Sequence, residues 1–233
     1  MLKVDGLHVA YGDTEVIHGL GFEVRDGEAI AIIGSNGAGK TTLLRTVCGL
    51  LTPSSGSIEY SGQNVVGTPT HKLSRLGMAY VPAERHLFPD MAVLENLALG
   101  AYPKKPTKAS YDQVFELFPR LADRRSQHAG TMSGGEQQML AVGRALMGKP
   151  VLLMLDEPTT GLAPILAEEA YHALGLLRDA GDMTVVVAEQ QVPLALALAN
   201  RAYVLEDGQI QLEGTADELR DNPDVRRAYL GIA

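Results

Sequence analysis

A nine-residue segment near the N-terminus has the residue types that bind phosphate. It consists of Gly34, Ser35, Asn36, Gly37, Ala38, Gly39, Lys40, Thr41 and Thr42, and it matches the pattern G-x-x-x-x-G-K-[ST]. The glycines let backbone N–H groups converge on phosphate oxygens, Lys40 reaches the terminal phosphates, and the Thr41 hydroxyl is placed to bind Mg²⁺. The segment predicts a nucleotide site; the alternative is a glycine-rich turn that holds an incidental lysine.

Two neighbouring carboxylates follow an apolar run in the second half of the chain. Residues 151–155 are all apolar and lead directly into Asp156 and Glu157. Carboxylates at the carboxyl end of a buried parallel strand lie where ligands bind in open α/β sheets. We expect Asp156 to hold Mg²⁺ and Glu157 to polarise an attacking water. The alternative is a polar strand end that takes part in no chemistry.

A serine and two glycines open a predicted helix that runs to Met147. Ser133 and Glu136 have the spacing of a capping box, so helix capping alone explains those two residues. Capping does not explain Gly134 and Gly135, because each glycine weakens a helix by about 1 kcal/mol relative to alanine. Glycines at this place let a phosphate approach the N–H groups of the first turn. The segment therefore predicts a helix that is capped in one state and binds an anion in another.

Strands that could position these groups are visible as apolar runs. Residues 29–33, 151–155 and 184–188 lack the polar alternation of a half-exposed strand. Continuous apolar runs of this length are typical of parallel strands that are buried on both faces. The first run leads into the phosphate-binding segment and the second into the carboxylates. The pattern predicts an α/β fold with a mainly parallel sheet.

Two further regions differ from this predicted core in their sequence pattern. Short strands joined by turns, among them Phe22–Val24, predict an N-terminal antiparallel β lobe over about residues 1–28 and 56–66. A mostly helical pattern over about residues 93–148 predicts a helical lobe inserted into the core. We expect residues 1–233 to form one domain built from these parts.

Composition limits the classes of function. The chain has 233 residues, 45% of them hydrophobic, and a formal net charge of −8. A chain this apolar buries enough surface to offset its conformational entropy, which excludes a disordered protein. The acidic balance argues against nucleic acid as the main partner. The single cysteine, Cys48, fits a reducing compartment, and the N-terminus lacks the apolar stretch of a secretory signal, so we expect a cytoplasmic chain.

The motifs together carry a family resemblance. The phosphate-binding segment, the Ser-Gly-Gly-Glu-Gln segment and Leu-Asp-Glu-Pro occur in an order and spacing that resemble the nucleotide-binding subunit of ATP-binding cassette (ABC) transporters. Residues 132–147, 161–164 and 225–231 further resemble the LivF type, the ATPase subunits of branched-chain or hydrophobic amino-acid importers. The resemblance implies a P-loop NTPase fold with a RecA-like core, ATP and Mg²⁺ as cofactors, and ATP hydrolysis that powers uptake through a separate permease.

The resemblance also implies a site shared between chains. Two cassettes close head to tail, as a homodimer or a heterodimer, so the signature formed by Ser133, Gly134, Gly135 and Glu136 covers the ATP bound to the partner. Two transmembrane permease subunits and, indirectly, a periplasmic or extracellular solute-binding protein complete the complex. This would hold the chain peripherally on the inner face of the cell membrane. Tyr11 matches the aromatic residue that stacks on adenine; the alternative is an ordinary edge-strand tyrosine.

Three positions depart from the general pattern of that family. Ala83 stands where many cassettes carry a glutamine that senses Mg²⁺ and the permease, and the adjacent Glu84 would replace it only if the loop shifted. Gln190 stands where most cassettes place a histidine that contacts the γ-phosphate. Its amide can donate a hydrogen bond but cannot carry a proton or a positive charge. Ala163 replaces an aspartate; both Gln190 and Ala163 fit the LivF type.

These departures lead to a hypothesis about the catalytic site built on Lys40, Asp156, Glu157 and Gln190. The site binds MgATP well but hydrolyses it slowly, or only with a different partner cassette. Two alternatives stay open: a cassette that acts mainly as the ATP-binding, regulatory half of a heterodimer, and an importer of another small polar solute such as urea or amides.

One apolar segment has no place in this chemistry. Leu87, Phe88 and Met91 lie among polar residues and would be exposed if residues 84–91 form a loop. The resemblance implies that this region faces the permease. Packing of Phe88 into the helical lobe is the alternative.

Overall fold

The structure is a computed structural model, and it describes residues 1–181 and 183–230. The strands are β1 (Leu2–Tyr11), β2 (Thr14–Val24), β3 (Ala29–Ile33), β4 (Ser55–Tyr60), β5 (Gln63–Asn64), β6 (Met78–Val81), β7 (Leu152–Asp156), β8 (Thr184–Glu189), β9 (Arg201–Glu206) and β10 (Gln209–Thr215). The helices are α1 (Lys40–Val47), α2 (Thr70–Arg75), α3 (Val93–Gly100), α4 (Lys108–Leu117), α5 (Pro119–Asp123), α6 (Gly134–Leu146), α7 (Pro164–Asp179), α8 (Val192–Leu198), α9 (Ala216–Asp221) and α10 (Pro223–Val225). A 3-10 turn at Ala129–Thr131 and a π-helical turn at Arg226–Leu230 complete the described elements.

The first sheet is antiparallel, with strand order β2-β1-β4-β5. The strand predicted at Phe22–Val24 is the end of a longer strand that begins at Thr14. Register shifts between β1 and β2 break the inward alternation between Ile17 and Leu20, where Gly19 has a φ of 68°. Because a bulge interrupts the period of two, the first half of β2 does not show the sequence pattern of a strand.

The second sheet has the strand order β10-β9-β3-β8-β7-β6. The strands from β9 to β6 pair in parallel, and only β10 runs antiparallel to its neighbour β9. The three predicted apolar runs form β3, β7 and β8, so the prediction of buried parallel strands is confirmed. The second of them begins one residue later than predicted, because Val151 is exposed and precedes the strand.

Both faces of this sheet are covered, which explains why its strands lack polar alternation. Along β3, Ala29, Ala31 and Ile33 belong to a core shared with α3 to α8. The alternate residues Ile30 and Ile32 belong to a second core shared with the antiparallel sheet and α1. Successive side chains of a strand point to opposite faces, so two apolar layers require an uninterrupted apolar run.

The segment predicted to be helical contains α3 to α6. Pro103 and Pro106 lie between α3 and α4, where they interrupt no helix. Leu97 of α3 and Leu140 of α6 are fully buried in the core beside the parallel sheet. Among the described residues, no helix combines the length and the apolar character needed to cross a membrane.

Candidate functional site

Three strand ends bring the residues with chemical potential to one edge of the parallel sheet. β3 ends at Ile33, directly before the phosphate loop of residues 34–39; β7 ends at Asp156 and β8 at Glu189. Ile33 is in register with Glu189, and Asp156 with Ala188. Segments that are distant in the sequence therefore meet where open α/β sheets bind their ligands.

Glycine is required at both ends of the phosphate loop. A Cβ atom at Gly34 would lie 2.3 Å from the carbonyl oxygen of Leu205. Gly39 has a φ of 106°, and a Cβ atom there would lie 2.8 Å from Cδ1 of Ile17. Between them, Ser35, Asn36 and Gly37 are exposed at the tip of the loop, whereas Ala38 is buried. Because Gly39 is the N-cap of α1, the N–H groups of the first helical turn open onto this loop.

Lys40 is buried and makes polar contacts to both sides of the site. Its Nζ donates hydrogen bonds to the carbonyl oxygens of Gly34 (2.9 Å) and Ser35 (3.0 Å). The same atom lies 3.2 Å from Oε1 of Glu157. In this arrangement the charges of the Lys40 ammonium group and the Glu157 carboxylate neutralise each other. When a nucleotide binds, its phosphate oxygens would have to replace the two carbonyls and Glu157 as partners of Lys40.

Asp156 is only 1% exposed and accepts two hydroxyl hydrogen bonds. Thr41 Oγ1 donates to Oδ1 at 3.1 Å, and Tyr80 Oη donates to Oδ2 at 2.9 Å. Burial raises the pKa of Asp156, and the hydrogen bonds from Tyr80 and Thr41 offset only part of that effect. The pKa of Tyr80 is raised as well, by burial and by the charge of Asp156.

The oxygens of Thr41 and Asp156 fit a magnesium ion. Both are hard oxygen donors, and they are already neighbours in the site. In the described part of the chain, no group of three or more His, Cys, Asp or Glu residues could hold a metal by itself. Mg²⁺ usually takes one or two protein ligands and completes its shell with phosphates and water. The donor set therefore matches a magnesium that arrives with a nucleotide.

Glu157 begins a tight turn at the end of β7. Its backbone φ is 44°, a left-handed conformation that is uncommon for a residue with a side chain. The Glu157 N–H donates to the carbonyl of Ala188 at 2.8 Å, and Thr160 Oγ1 donates to Glu157 Oε2 at 3.0 Å. Residues held in sparsely populated conformations persist only where their surroundings restrain them. The strand end and the turn together fix this carboxylate beside Lys40.

Tyr11 ends β1 beside the phosphate loop. The residue is 46% exposed, and its hydroxyl lies 3.4 Å from Oγ1 of Thr42, with either group able to donate. An exposed aromatic face next to a phosphate-binding loop is suited to stacking on a base. The structure thus brings Tyr11 to the site, together with Lys40, Asp156 and Glu157.

The signature residues form a capped helix start. Ser133 is the N-cap of α6; its N–H and hydroxyl donate to Oε2 of Glu136 at 3.0 and 2.9 Å. Burial opposes the ionisation of Glu136, but Ser133 and the guanidinium of Arg124 together lower its pKa. The capping interpretation of these two residues is confirmed. Among the described residues, no hydrogen bond or ion pair joins this helix start to the phosphate loop.

The two signature glycines have different surroundings. A Cβ atom at Gly134 would meet nothing closer than Nη1 of Arg85 at 3.6 Å, an ordinary contact. A Cβ atom at Gly135 would lie 2.5 Å from Cδ1 and 3.0 Å from Cβ of Leu166 in α7. Packing against α7 therefore accounts for Gly135 without any ligand. Only Gly134 leaves room for an approaching group, a distinction that the sequence pattern did not reveal.

The positions that depart from the family pattern lie in the turns after β6, β7 and β8. Gln190 is exposed directly after β8, and Ala163 is the exposed N-cap of α7. Ala83 is half-buried after β6. Oε1 of Glu84 lies 3.1 Å from Nη2 of Arg45, so this carboxylate is paired rather than substituting for a side chain at position 83.

Comparisons with known proteins identify the family. A family model described as "ABC transporter" matches residues 17–160. The chain is 49% identical over 233 residues to the high-affinity branched-chain amino acid transport ATP-binding protein BraG of Pseudomonas aeruginosa, covering 99% of this chain and 100% of that protein. The chain belongs to the ABC transporter family. A second family model, described as "Branched-chain amino acid ATP-binding cassette transporter", matches residues 212–233 of the cassette.

Further relatives agree over the whole length of the cassette. It is 36% identical over 234 residues to the probable branched-chain amino acid transport ATP-binding protein LivF of Archaeoglobus fulgidus, covering 100% of this chain and 99% of that protein. The crystal structure of an ATP-binding cassette in its ADP conformation matches with a TM-score of 0.83 and 26% identity, covering 99% and 98% of the two chains. The predicted family, its P-loop NTPase fold and its ATPase activity coupled to transport are confirmed.

Arg85 is a residue of the cassette that sequence reasoning missed. Its Nε donates to Oε1 of Gln138 in α6 at 3.1 Å, and its Nη2 donates to the carbonyl of Thr160 at 3.1 Å. Arg144 donates to the carbonyl of Arg85 at 2.9 Å and so holds the loop itself. Arg85 therefore ties the signature helix to the turn that orients Glu157. The positive φ of 62° at Arg85 is a structural signal that a sequence pattern does not contain.

Tyr80, Thr159 and Glu189 are further residues of the site that the sequence did not single out. Tyr80 holds Asp156, as described above. Glu189 is 1% exposed and accepts a hydrogen bond from the Thr159 N–H at 3.2 Å. The only available signal was a tyrosine within the apolar strand β6 and a glutamate at the end of the apolar strand β8.

The apolar segment after β6 is partly exposed. Phe88 is 50% exposed, whereas Leu87 packs against the core beside the parallel sheet. Phe88 lines a groove of about 430 Å³ between β6 and α3, together with Leu99, Tyr102 and Arg144. Phe88 is exposed as predicted, whereas Leu87 and Met91 are only partly exposed.

Proposed function

We propose that this cassette binds MgATP on its own phosphate loop, hydrolyses it with Glu157 as the catalytic carboxylate, and so powers uptake of branched-chain or other hydrophobic amino acids through a separate permease. The observation that carries the proposal is the convergence of Lys40, Thr41, Asp156 and Glu157 at the carboxyl ends of β3 and β7. The cargo rests on the names of the full-length relatives and on the family model at the C-terminus.

Nucleotide binding rearranges the contacts of Lys40. Phosphate oxygens replace the loop carbonyls and Glu157 as acceptors of its ammonium hydrogen bonds, and Tyr11 stacks on the adenine. Glu157, released from Lys40, then accepts a proton from the water that attacks the γ-phosphate, and ATP and water give ADP and phosphate. Thr41 and Asp156 would hold Mg²⁺, which would neutralise charge on the phosphates. Gln190, exposed after β8, donates an amide hydrogen bond to the γ-phosphate.

A second cassette completes each site. The support is the signature helix start, whose Ser133 and open Gly134 make no hydrogen bond with their own phosphate loop in the described residues. Head-to-tail closure presents this helix start, with its capping serine, to the ATP of the partner cassette. Anions are stabilised at such helix N-termini. The proposed dimer therefore has two shared sites.

The groove at β6 and α3 is the proposed contact with the two permease subunits. Its exposed apolar side chains, Phe88 (50%), Leu99 (44%) and Tyr102 (79%), form a surface that association would bury. Tyr80 also lines the groove and holds Asp156 at 2.9 Å, so the groove and the magnesium ligand share one side chain. Docking here would place the cassette peripherally on the inner face of the membrane, with a solute-binding protein on the other side.

The Glu157→Gln variant tests the catalytic part of the proposal. The amide keeps the shape of the side chain but does not accept the proton of the attacking water, so we expect ATP to stay bound and the dimer to persist. Retained nucleotide and light scattering measure both, with the exposed Glu116→Gln change in α4 as the matched control. Hydrolysis at the unaltered rate, or loss of ATP binding without dimers, would contradict the role of Glu157.

A regulatory half of a heterodimer is the second candidate function. Ala83 offers no side-chain ligand and Gln190 carries no proton, and both observations favour slow hydrolysis at this site. The unaltered chain alone at micromolar concentration distinguishes the two: hydrolysis typical of transport ATPases that does not change on Gln190→Ala excludes the weakened site. Uptake into vesicles by the complete complex, with leucine compared against urea and amides, tests the cargo.

A further inference from the structure

A third carboxylate lies behind the site, and no cation of the described residues is paired with it. Glu189 is the last residue of β8 and is 1% exposed. In the described part of the chain, no Lys, Arg or His forms an ion pair with it. A buried carboxylate is costly unless hydrogen bonds replace its hydration. Hydrogen-bond donors must therefore surround Glu189.

Four donors from two separate loops converge on this carboxylate. Oε1 accepts from the N–H of Thr159 at 3.2 Å and, more closely, from the Thr159 hydroxyl. Oε2 accepts from the N–H groups of Gln190 at 2.9 Å and Gln191 at 3.1 Å. The Gln191 amide in turn donates to Thr159 Oγ1 at 3.0 Å. One side chain thus ties the turn after β7 to the turn after β8.

Both of these turns carry residues of the proposed reaction. Thr159 is followed by Thr160, whose hydroxyl holds Oε2 of Glu157 at 3.0 Å. Gln190 is itself the residue proposed to contact the γ-phosphate. Glu157 has a left-handed backbone, which needs external restraint. Glu189 therefore restrains the positions of both Glu157 and Gln190, and it is called the anchor below.

The anchor has to be a carboxylate. All four groups that face it are donors, and an ionised carboxylate is an acceptor at both oxygens. A glutamine would turn an NH₂ group toward two of the donors and leave those hydrogen bonds unmade. The hydroxyl of Tyr171 is buried nearby, and burial together with the charge and the acceptor oxygens of Glu189 raises the pKa of Tyr171.

We propose that Glu189 is a positioning residue for ATP hydrolysis, which sets the orientation of Glu157 and Gln190 through the backbone of residues 159 and 190–191 without touching the nucleotide. This inference rests on the proposed role of Glu157. Small displacements of a catalytic group reduce the rate of the chemical step far more than they reduce binding of the substrate. The inference therefore predicts a selective loss of turnover.

The test compares Glu189→Gln with Glu28→Gln in the purified cassette. Glu28 is also buried (9%) and also accepts a backbone N–H, from Arg25 at 2.9 Å, but it precedes β3 at the opposite end from the phosphate loop. We expect Glu189→Gln to lower kcat by about 10²-fold, while the Kd for ATP, measured by fluorescent-nucleotide titration, stays within about twofold. We expect Glu28→Gln to lower the melting temperature while kcat changes little.

The outcomes that overturn the inference are distinct from those that overturn the proposed function. If Glu157→Gln abolishes hydrolysis and Glu189→Gln does not lower kcat, the positioning role is wrong. It is also wrong if kcat and ATP affinity fall together, as unfolding would cause. If Glu157→Gln itself hydrolyses ATP normally, the proposed function fails and this inference fails with it.

A milder variant keeps the test decisive if Glu189→Gln does not fold. Thr159→Val removes the hydroxyl that donates to Glu189 and keeps the N–H, so Glu189 loses one of its four hydrogen bonds and the Gln191 amide loses its acceptor. We expect a smaller loss of kcat at unchanged ATP affinity, and little further loss when Thr159→Val is combined with Glu157→Gln, because the carboxylate that this contact orients is then absent. Full turnover by Thr159→Val would overturn the inference.

Discussion

Replacing Gly135 with alanine is expected to destabilise the cassette, whereas the same change at Gly134 is expected to preserve its stability. At Gly135 the new methyl group would lie 2.5 Å from Cδ1 and 3.0 Å from Cβ of Leu166. Side-chain rotation moves the Cδ1 atom, but the Cβ atom is fixed to the backbone of α7, so the two helices must separate slightly. At Gly134 the nearest atom, Nη1 of Arg85, lies at an ordinary 3.6 Å.

The size of the difference follows from two opposing effects. Overpacking of a core costs about 1 to 3 kcal/mol, and alanine in place of a helical glycine gains up to about 1 kcal/mol. Both variants share the gain, but only Gly135→Ala has the cost. Its unfolding free energy should therefore be about 1 to 3 kcal/mol below that of Gly134→Ala, which corresponds to a melting temperature roughly 2 to 12 °C lower for a domain of this size.

Thermal unfolding of the two nucleotide-free variants, followed by circular dichroism, measures this difference. Gly134→Ala should remain folded but lose ATP-dependent dimerisation when combined with Glu157→Gln, because its methyl group occupies the space that the partner's nucleotide is proposed to enter. Equal melting temperatures, or a lower melting temperature for Gly134→Ala, would refute the conclusion that Gly135 is needed for helix packing and Gly134 for the approach of a nucleotide.

Two further predictions concern the buried polar contacts of the site. The raised pKa of Asp156 means that the folded chain binds this proton more tightly than the unfolded chain. Ionisation therefore lowers stability as pH rises above the ordinary aspartate pKa of 3.8, and the loss persists at neutral pH. Asp156→Asn should unfold at pH 7 at the same or a higher urea concentration while losing Mg²⁺-dependent hydrolysis, and a lower urea midpoint would count against this reasoning. Arg85→Ala should lower the unfolding free energy by about 1 to 2 kcal/mol, because the buried Oε1 of Gln138 loses its donor. Hydrogen exchange should increase in residues 133–138 and 159–163 but not in α1. A uniform increase in exchange across the chain would contradict a local link.

The phosphate loop and the strand-end carboxylates were predictable because their information is local. A glycine-rich loop between a strand and a helix exposes its N–H groups whatever surrounds it. Asp156 and Glu157 follow an apolar strand directly, so their place at the edge of the sheet follows from the strand itself. The same holds for the capping box at Ser133, whose partners are three residues apart.

Contacts between distant segments could not be predicted in the same way. The residues around Arg85 do not indicate its hydrogen bonds to Gln138 and Thr160, and those around Glu189 do not indicate its hydrogen bonds from Thr159. The first half of β2 could not be predicted from the sequence because a bulge disrupts the alternation of its buried and exposed residues. Leu87 and Phe88 have similar hydrophobicity, and only the path of the loop decides which one packs against the core.

Residue types and their spacing were sufficient to predict a phosphate loop, a strand-end pair of carboxylates, a signature helix start and the family. Tertiary structure decided how these parts are held, by pairing Lys40 with Glu157, by packing Gly135 against Leu166 and by gathering two turns on Glu189. The physical reason is that backbone geometry and strand burial follow from neighbouring residues, whereas hydrogen-bond partners and close contacts depend on which distant segments the sheet order brings together.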